Sequence, residues 1–70
     1  MKTLYPNLAS ELQAQNFTYA KFARQIGMPK TTMYRRMNGE TEWKLHEVVT
    51  ICGALNNYDV HYLFLRLDNN

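Results

Sequence analysis

A single cysteine, Cys52, excludes a disulfide within the chain and any metal site built on several thiolates. Such thiol poverty suits a reducing, cytoplasmic setting. No stretch approaches the ~18 consecutive apolar residues of a membrane-spanning helix. The opening Met1-Lys2-Thr3-Leu4-Tyr5-Pro6 has no apolar core of signal-peptide length. A soluble protein with no membrane partner is expected. Strict apolar–polar alternation is missing too, which argues against a sheet. Glycine and proline are scarce, three and two residues, and fall where helices should start or stop. With 70 residues the chain makes one domain, 1–70, too small to enclose a conventional substrate pocket.

Negative charge is also missing from a long stretch. Residues 12–39 hold no Asp or Glu but carry Lys21, Arg24, Lys30, Arg35 and Arg36. Elsewhere Lys2, Lys44 and Arg66 stand against Glu11, Glu40, Glu42, Glu47, Asp59 and Asp68. The modest net charge of +2 therefore conceals a basic middle between mildly acidic ends. A solvated face would also carry such charges. Their coincidence with the two-helix unit described next favours a surface that meets a polyanion.

The apolar spacing predicts five helices. The first covers about Asn7 to Gln15, capped by Asn7, with Leu8 and Leu12 on one face. The second covers Thr18 to Ile26, with Thr18 as cap and Gly27 as terminator. Phe22, Ala23 and Ile26 face inward; Lys21, Arg24 and Gln25 face out. The third begins at Pro29, suited to a first helical position, and stops at Asn38-Gly39. Met33 and Met37 face the core and leave Lys30, Thr31, Tyr34 and Arg35 outside. The fourth spans about Glu42 to Leu55, with Leu45, Val48, Val49, Cys52 and Leu55 as the buried stripe. Asn56-Asn57 make a turn, and Asp59 opens a fifth helix reaching Leu67.

Thr18 to Gly39 is thus two short helices joined by a tight turn, with small Ala23 where they approach. In a helix-turn-helix the second helix enters the major groove by its N-terminal end, while the first lies across the backbone. Lys30 can donate to guanine, and Thr31 and Thr32 can bond a base edge or touch a thymine methyl. Arg35, one turn on, can bind guanine in bidentate fashion. Thr18, Tyr19, Tyr34 and Asn38 are placed to bond phosphates, which fixes register without reading sequence.

At these residues the chain resembles the lambda-repressor-like (Cro/repressor, XRE-type) helix-turn-helix domains of phages and bacteria, over about Leu8 to Phe64. Phe22-Ala23 stand in the family's Leu-Ala position, Gly27 at its turn. Thr32-Met33-Tyr34-Arg35-Arg36-Met37-Asn38-Gly39 is similar to the T-L-Y-R-K-I-N-G of a phage-regulator subgroup. Trp43, Leu45 and Val48 with Ala54-Leu55 resemble its fourth helix, and Tyr62-Leu63-Phe64 its last. The resemblance implies an all-α, five-helix DNA-binding fold that occupies an operator. It also implies base-reading positions at Pro29, Lys30, Thr31 and Arg35. Pro29 departs by offering no donor. Tyr19 departs from a Gln common at its position. Met37 stands where an acidic residue is common, which implies a lost ion pair and greater reliance on packing.

Nothing in the sequence suggests catalysis. His46 and His61 lie on different helices without a ligand pattern, and Lys44 and Glu47 beside His46 read as an exposed face. Cys52 reads as a core residue. No enzyme, cofactor, metal or small-molecule substrate is expected. The fifth helix is too apolar for one side, so Tyr62, Leu65 and Val60 are expected to meet a second copy, with Leu63, Phe64 and Leu67 inward. The expected partner is double-stranded operator DNA, pseudo-palindromic and bound by a homodimer. The alternative is a protein–protein module or antitoxin that uses the same fold.

Overall fold

The computed structural model describes residues 3–68; Met1 and Lys2 of the opening segment lie outside them. Five helices follow in order: α1 (Pro6–Ala14), α2 (Tyr19–Gln25), α3 (Lys30–Met37), α4 (Leu45–Leu55) and α5 (Val60–Leu63). There is no strand among the described residues. The expected all-α, five-helix architecture is therefore the observed one.

Four helices end in the same way. At Asn16, Gly27, Gly39 and Asn56 the backbone turns left-handed, with φ of +64°, +73°, +80° and +52°. The two N–H groups that follow each helix close back on its last turn. Around Gly27, for example, the Met28 N–H donates to the Ala23 carbonyl at 2.8 Å and the Gly27 N–H to the Arg24 carbonyl at 3.3 Å. Equivalent pairs end α1, α3 and α4. This arrangement satisfies helix-terminal carbonyls and needs glycine or asparagine at the reversed position. It makes the helices short and their connections tight, so α2 and α3 pack on each other and α1 on α5.

The core joins Leu8, Leu12, Tyr19, Phe22, Ala23, Met33, Met37, Ile51, Cys52, Leu55 and Leu63, all buried. A second, aromatic knot joins the segment before α1 to the segments before α4 and after α5. There the rings of Tyr5, Trp43 and Phe64 meet edge to face, 5.5–6.3 Å between centroids. Backbone bonds from the Leu4 N–H to the Met37 carbonyl, 2.8 Å, and from the Leu67 N–H to the Leu4 carbonyl, 2.7 Å, tie Leu4 to α3 and Leu67 to Leu4.

Several boundaries differ from the sequence-based ones. Helix α1 starts at Pro6, whose fixed φ and absent N–H suit a first turn. Asn7 is therefore not its cap, and its side chain instead donates to the Tyr62 carbonyl at 2.9 Å. Pro29 precedes α3 as the flanking residue. Helix α4 starts three residues later than Glu42, because Glu47 Oε1 accepts the Lys44 N–H at 2.8 Å and so fixes the first turn. Helix α5 is a single turn capped by Asp59, and Leu67 lies beyond it, exposed rather than inward.

The largest correction is the face that α4 buries. Ile51, Cys52, Leu55 and Glu47 point inward, whereas Leu45 and Val49 point out. Glu47, expected in an exposed face, is bound to Arg36 by two bonds, Nε to Oε1 at 2.7 Å and Nη2 to Oε2 at 3.0 Å. Arg36 Nη1 also donates to Thr41 Oγ1 at 2.7 Å. Met37 itself is buried in the core and forms no ion pair, while the neighbouring Arg36 supplies a buried pair that joins α3 to α4.

Candidate nucleic-acid interface

Helix α3 is oriented by what it buries. Met33, Arg36 and Met37 face the interior. At about 100° per residue, Lys30, Thr31, Tyr34 and Arg35 then share an arc of roughly 140° on the opposite side. All four are exposed. The Lys30, Thr31 and Thr32 N–H groups open the helix without a side-chain cap. The structure thus brings together the cations and hydroxyls expected to protrude from the start of this helix.

The remaining expected residues divide. Thr18 is exposed and its Oγ1 caps α2 by accepting the Lys21 N–H at 3.1 Å, which leaves the hydroxyl hydrogen free for a phosphate. Thr32 is half-buried at the edge of α3, and Asn38 is half-buried at its C-terminal end. Tyr19 is corrected: its ring is fully buried and packs edge to face on Tyr34, 5.3 Å between centroids. Burial pushes the phenol pKa up. The Thr3 hydroxyl lies near enough to offset part of this, but the buried Tyr19 hydroxyl lacks a hydrogen bond of good geometry. A side chain so enclosed has no surface for a phosphate. Its ring instead supports Tyr34 from below.

The charge of the basic stretch divides as well. Arg36 is internal and neutralised by Glu47. For Glu47, burial alone would raise the carboxyl pKa. Hydrogen bonds from Arg36 and the Lys44 N–H, with the charges of Arg36 and His46, outweigh it and hold the group below its ordinary value. Lys21, Arg24, Lys30 and Arg35 are exposed, and no carboxylate pairs with them among the described residues. Four free cations on α2 and α3, without a competing acid, suit a polyanionic partner.

Sequence reasoning missed the Arg36–Glu47 pair. Two signals were available: Arg36 falls on the same side of α3 as Met33 and Met37, and Glu47 stands at the third position of α4, where an acid caps the backbone.

A shallow cleft of about 140 Å³ separates the α2–α3 turn from the start of α4, bordered by Pro29, Thr32, His46 and Thr50. It is well below the ~300–1,000 Å³ of small-molecule sites. Among the described residues, no three His, Cys, Asp or Glu side chains come together in a metal-holding group. No helix there is long and apolar enough to cross a membrane. Tyr62 and Leu65, expected to meet a second copy, are 38% and 39% exposed.

Comparison with known proteins agrees with this geometry. A family model described as Cro/C1-type HTH DNA-binding domain matches residues 7–57, from α1 through the end of α4. No curated protein and no solved structure matches the chain.

Proposed function

The chain belongs to the Cro/C1-type helix-turn-helix DNA-binding domains, and on that premise we propose that it is a sequence-specific transcriptional regulator of the phage or bacterial Cro/repressor kind. It occupies an operator through the major groove. The observation that carries this reading is the exposed arc Lys30, Thr31, Tyr34 and Arg35 at the leading end of α3, backed by a buried face that fixes its direction.

In this reading α3 enters the groove, where Lys30 and Arg35 meet guanine acceptors and Thr31 a base edge or thymine methyl. Thr32 and Asn38 border the contact. Thr18, Lys21, Arg24 and Tyr34 bond phosphates on either side and set the register. Regulation is by occupancy alone: bound protein blocks or assists polymerase without chemistry on a substrate. The operator is a pseudo-palindrome bound by two copies, with half-site centres ~34 Å apart. The molecule measures 32 × 24 × 23 Å, so copies at that spacing come near contact when their long axes lie along the DNA.

Selection of binding sites from random DNA, followed by a salt titration on the selected duplex, tests this reading. A defined consensus is expected, with log K falling steeply as log[salt] rises. Recovery of no consensus, with a flat salt response, would favour a protein-binding module on the same fold.

A further inference from the structure

Helix α4 carries an uncharged outer face that nothing among the described residues covers. Leu45 is 80% exposed and Val49 61% exposed. Both lie on one line of the helix with Gly53, at steps of four residues. Tyr58, 70% exposed, follows the end of α4 and brings its hydroxyl beside Gly53. A Cβ built on Gly53 would find its nearest atom in the Tyr58 hydroxyl, at 3.8 Å. His46 and Thr50 flank the line, and no Asp, Glu, Lys or Arg side chain of α4 points that way.

Gly53 is the informative residue. Inside a helix glycine is a destabilising choice relative to alanine. Unlike Gly27 and Gly39, it has no positive φ to require it. Its surroundings leave ordinary van der Waals room for a methyl group. Nothing among the described residues asks for glycine there, whereas close approach of a neighbouring molecule would.

We propose that the outer face of α4 is the contact between two copies of this chain, paired as antiparallel α4 helices about a two-fold axis at Val49. Leu45 and Gly53 lie four residues to either side of Val49, about 6 Å along the helix. Under two-fold symmetry, Leu45 of each copy therefore seats over Gly53 of the other, a knob on the gap left by the missing side chain. A surface free of net charge suits pairing with itself, since like charges meet across such an axis. The patch is small beside the ~800 Å² per partner of a standard interface. Pairing is thus weak in solution and takes effect when DNA holds two copies side by side. The inference rests on the proposed two-copy operator binding. It places the contact on α4 instead of α5, because Leu45 and Val49 are more exposed, at 80% and 61%, than Tyr62 and Leu65, at 38% and 39%.

The test uses the full chain with one-half-site and two-half-site duplexes from the selected consensus, together with sedimentation equilibrium at high protein concentration without DNA. The wild type is expected to bind two half-sites cooperatively and to self-associate weakly. V49E sets two carboxylates against each other at the axis. It is expected to lower cooperativity at least tenfold while single-half-site affinity stays within twofold. G53A is expected to raise the thermal midpoint yet weaken self-association, so lost pairing cannot be attributed to lost fold. Y62E is expected to leave cooperativity unchanged. Unchanged cooperativity and self-association in both V49E and G53A would overturn the inference, as would loss in Y62E alone or a wild type that never pairs. Failure to bind even one half-site would instead strike the proposed function, and the sedimentation arm would still decide the contact.

Discussion

Gly27 and Gly39 both hold a left-handed backbone, but they differ in what surrounds them. A methyl group at Gly27 meets nothing within 4 Å, so G27A carries only the backbone cost, ~1–2 kcal/mol. At Gly39 the side chain of Leu4 occupies the space, with Cγ 3.2 Å from the added carbon. G39A is therefore expected to cost about 1 kcal/mol more than G27A through overpacking. Urea denaturation of the two variants measures the difference; equal losses would mean that Leu4 moves aside freely. Tyr19 gives a second test at this scale. Its buried hydroxyl is unpaired, and removing such a group is close to neutral or stabilising. Y19F should keep or raise stability within about 1 kcal/mol and leave DNA affinity unchanged. A marked loss of affinity would return Tyr19 to the phosphate contacts.

Between elements, the decisive link is Arg36 to Glu47. Their side chains are 11% and 10% exposed, so the pair is shielded from solvent. E47Q leaves the guanidinium without its counter-charge and also weakens the cap of α4. A loss of about 3 kcal/mol is expected. The pH dependence follows from the lowered carboxyl pKa. In the unfolded chain Glu47 binds its proton at the ordinary value, near 4.3. The stabilisation is thus complete above that value and disappears as pH falls through the lower folded value. Wild type and E47Q should differ clearly at pH 7 and converge in acid. A gap that does not narrow as pH falls below the ordinary carboxyl range would contradict this.

The same pair explains what the sequence could and could not tell about α4. Two overlapping helical stripes were available, Leu45-Val48-Val49-Cys52-Leu55 and Val48-Ile51-Cys52-Leu55, rotated from each other by a fraction of a turn. Hydrophobicity favours both. The choice was made by Glu47, drawn inward by Arg36 and the Lys44 N–H, which turns Leu45 and Val49 to solvent. An ion pair eleven residues apart in sequence leaves no periodic trace. Helix α3 was legible because glycines mark both of its flanks and its methionines sit four apart. Helix α5 was overextended because apolar residues past Phe64 suggested more helix. Instead, the chain there turns to bond the Leu4 carbonyl.

On the scale of the whole molecule, charge and shape act together. The stretch free of acids folds into the α2–α3 unit, so its position in sequence became a position in space. Burial of Arg36 removes one of its five cations from the surface. Four remain, Lys21, Arg24, Lys30 and Arg35, and if each meets DNA the slope of log K against log[salt] is about −3 to −4 per copy. A slope near −1 would mean that most of them face solvent.

The central claim is that the leading end of α3 reads bases while α2 grips the backbone. It is tested most directly by the specificity profiles of R35A and R24A, measured over every single-base substitution of the selected half-site. R35A should lose about 1–3 kcal/mol on the cognate site and become indifferent at one base pair. R24A should weaken all sites by a similar factor and keep the wild-type profile. Equal losses for R35A on cognate and random DNA, with preference at every position intact, would contradict the account.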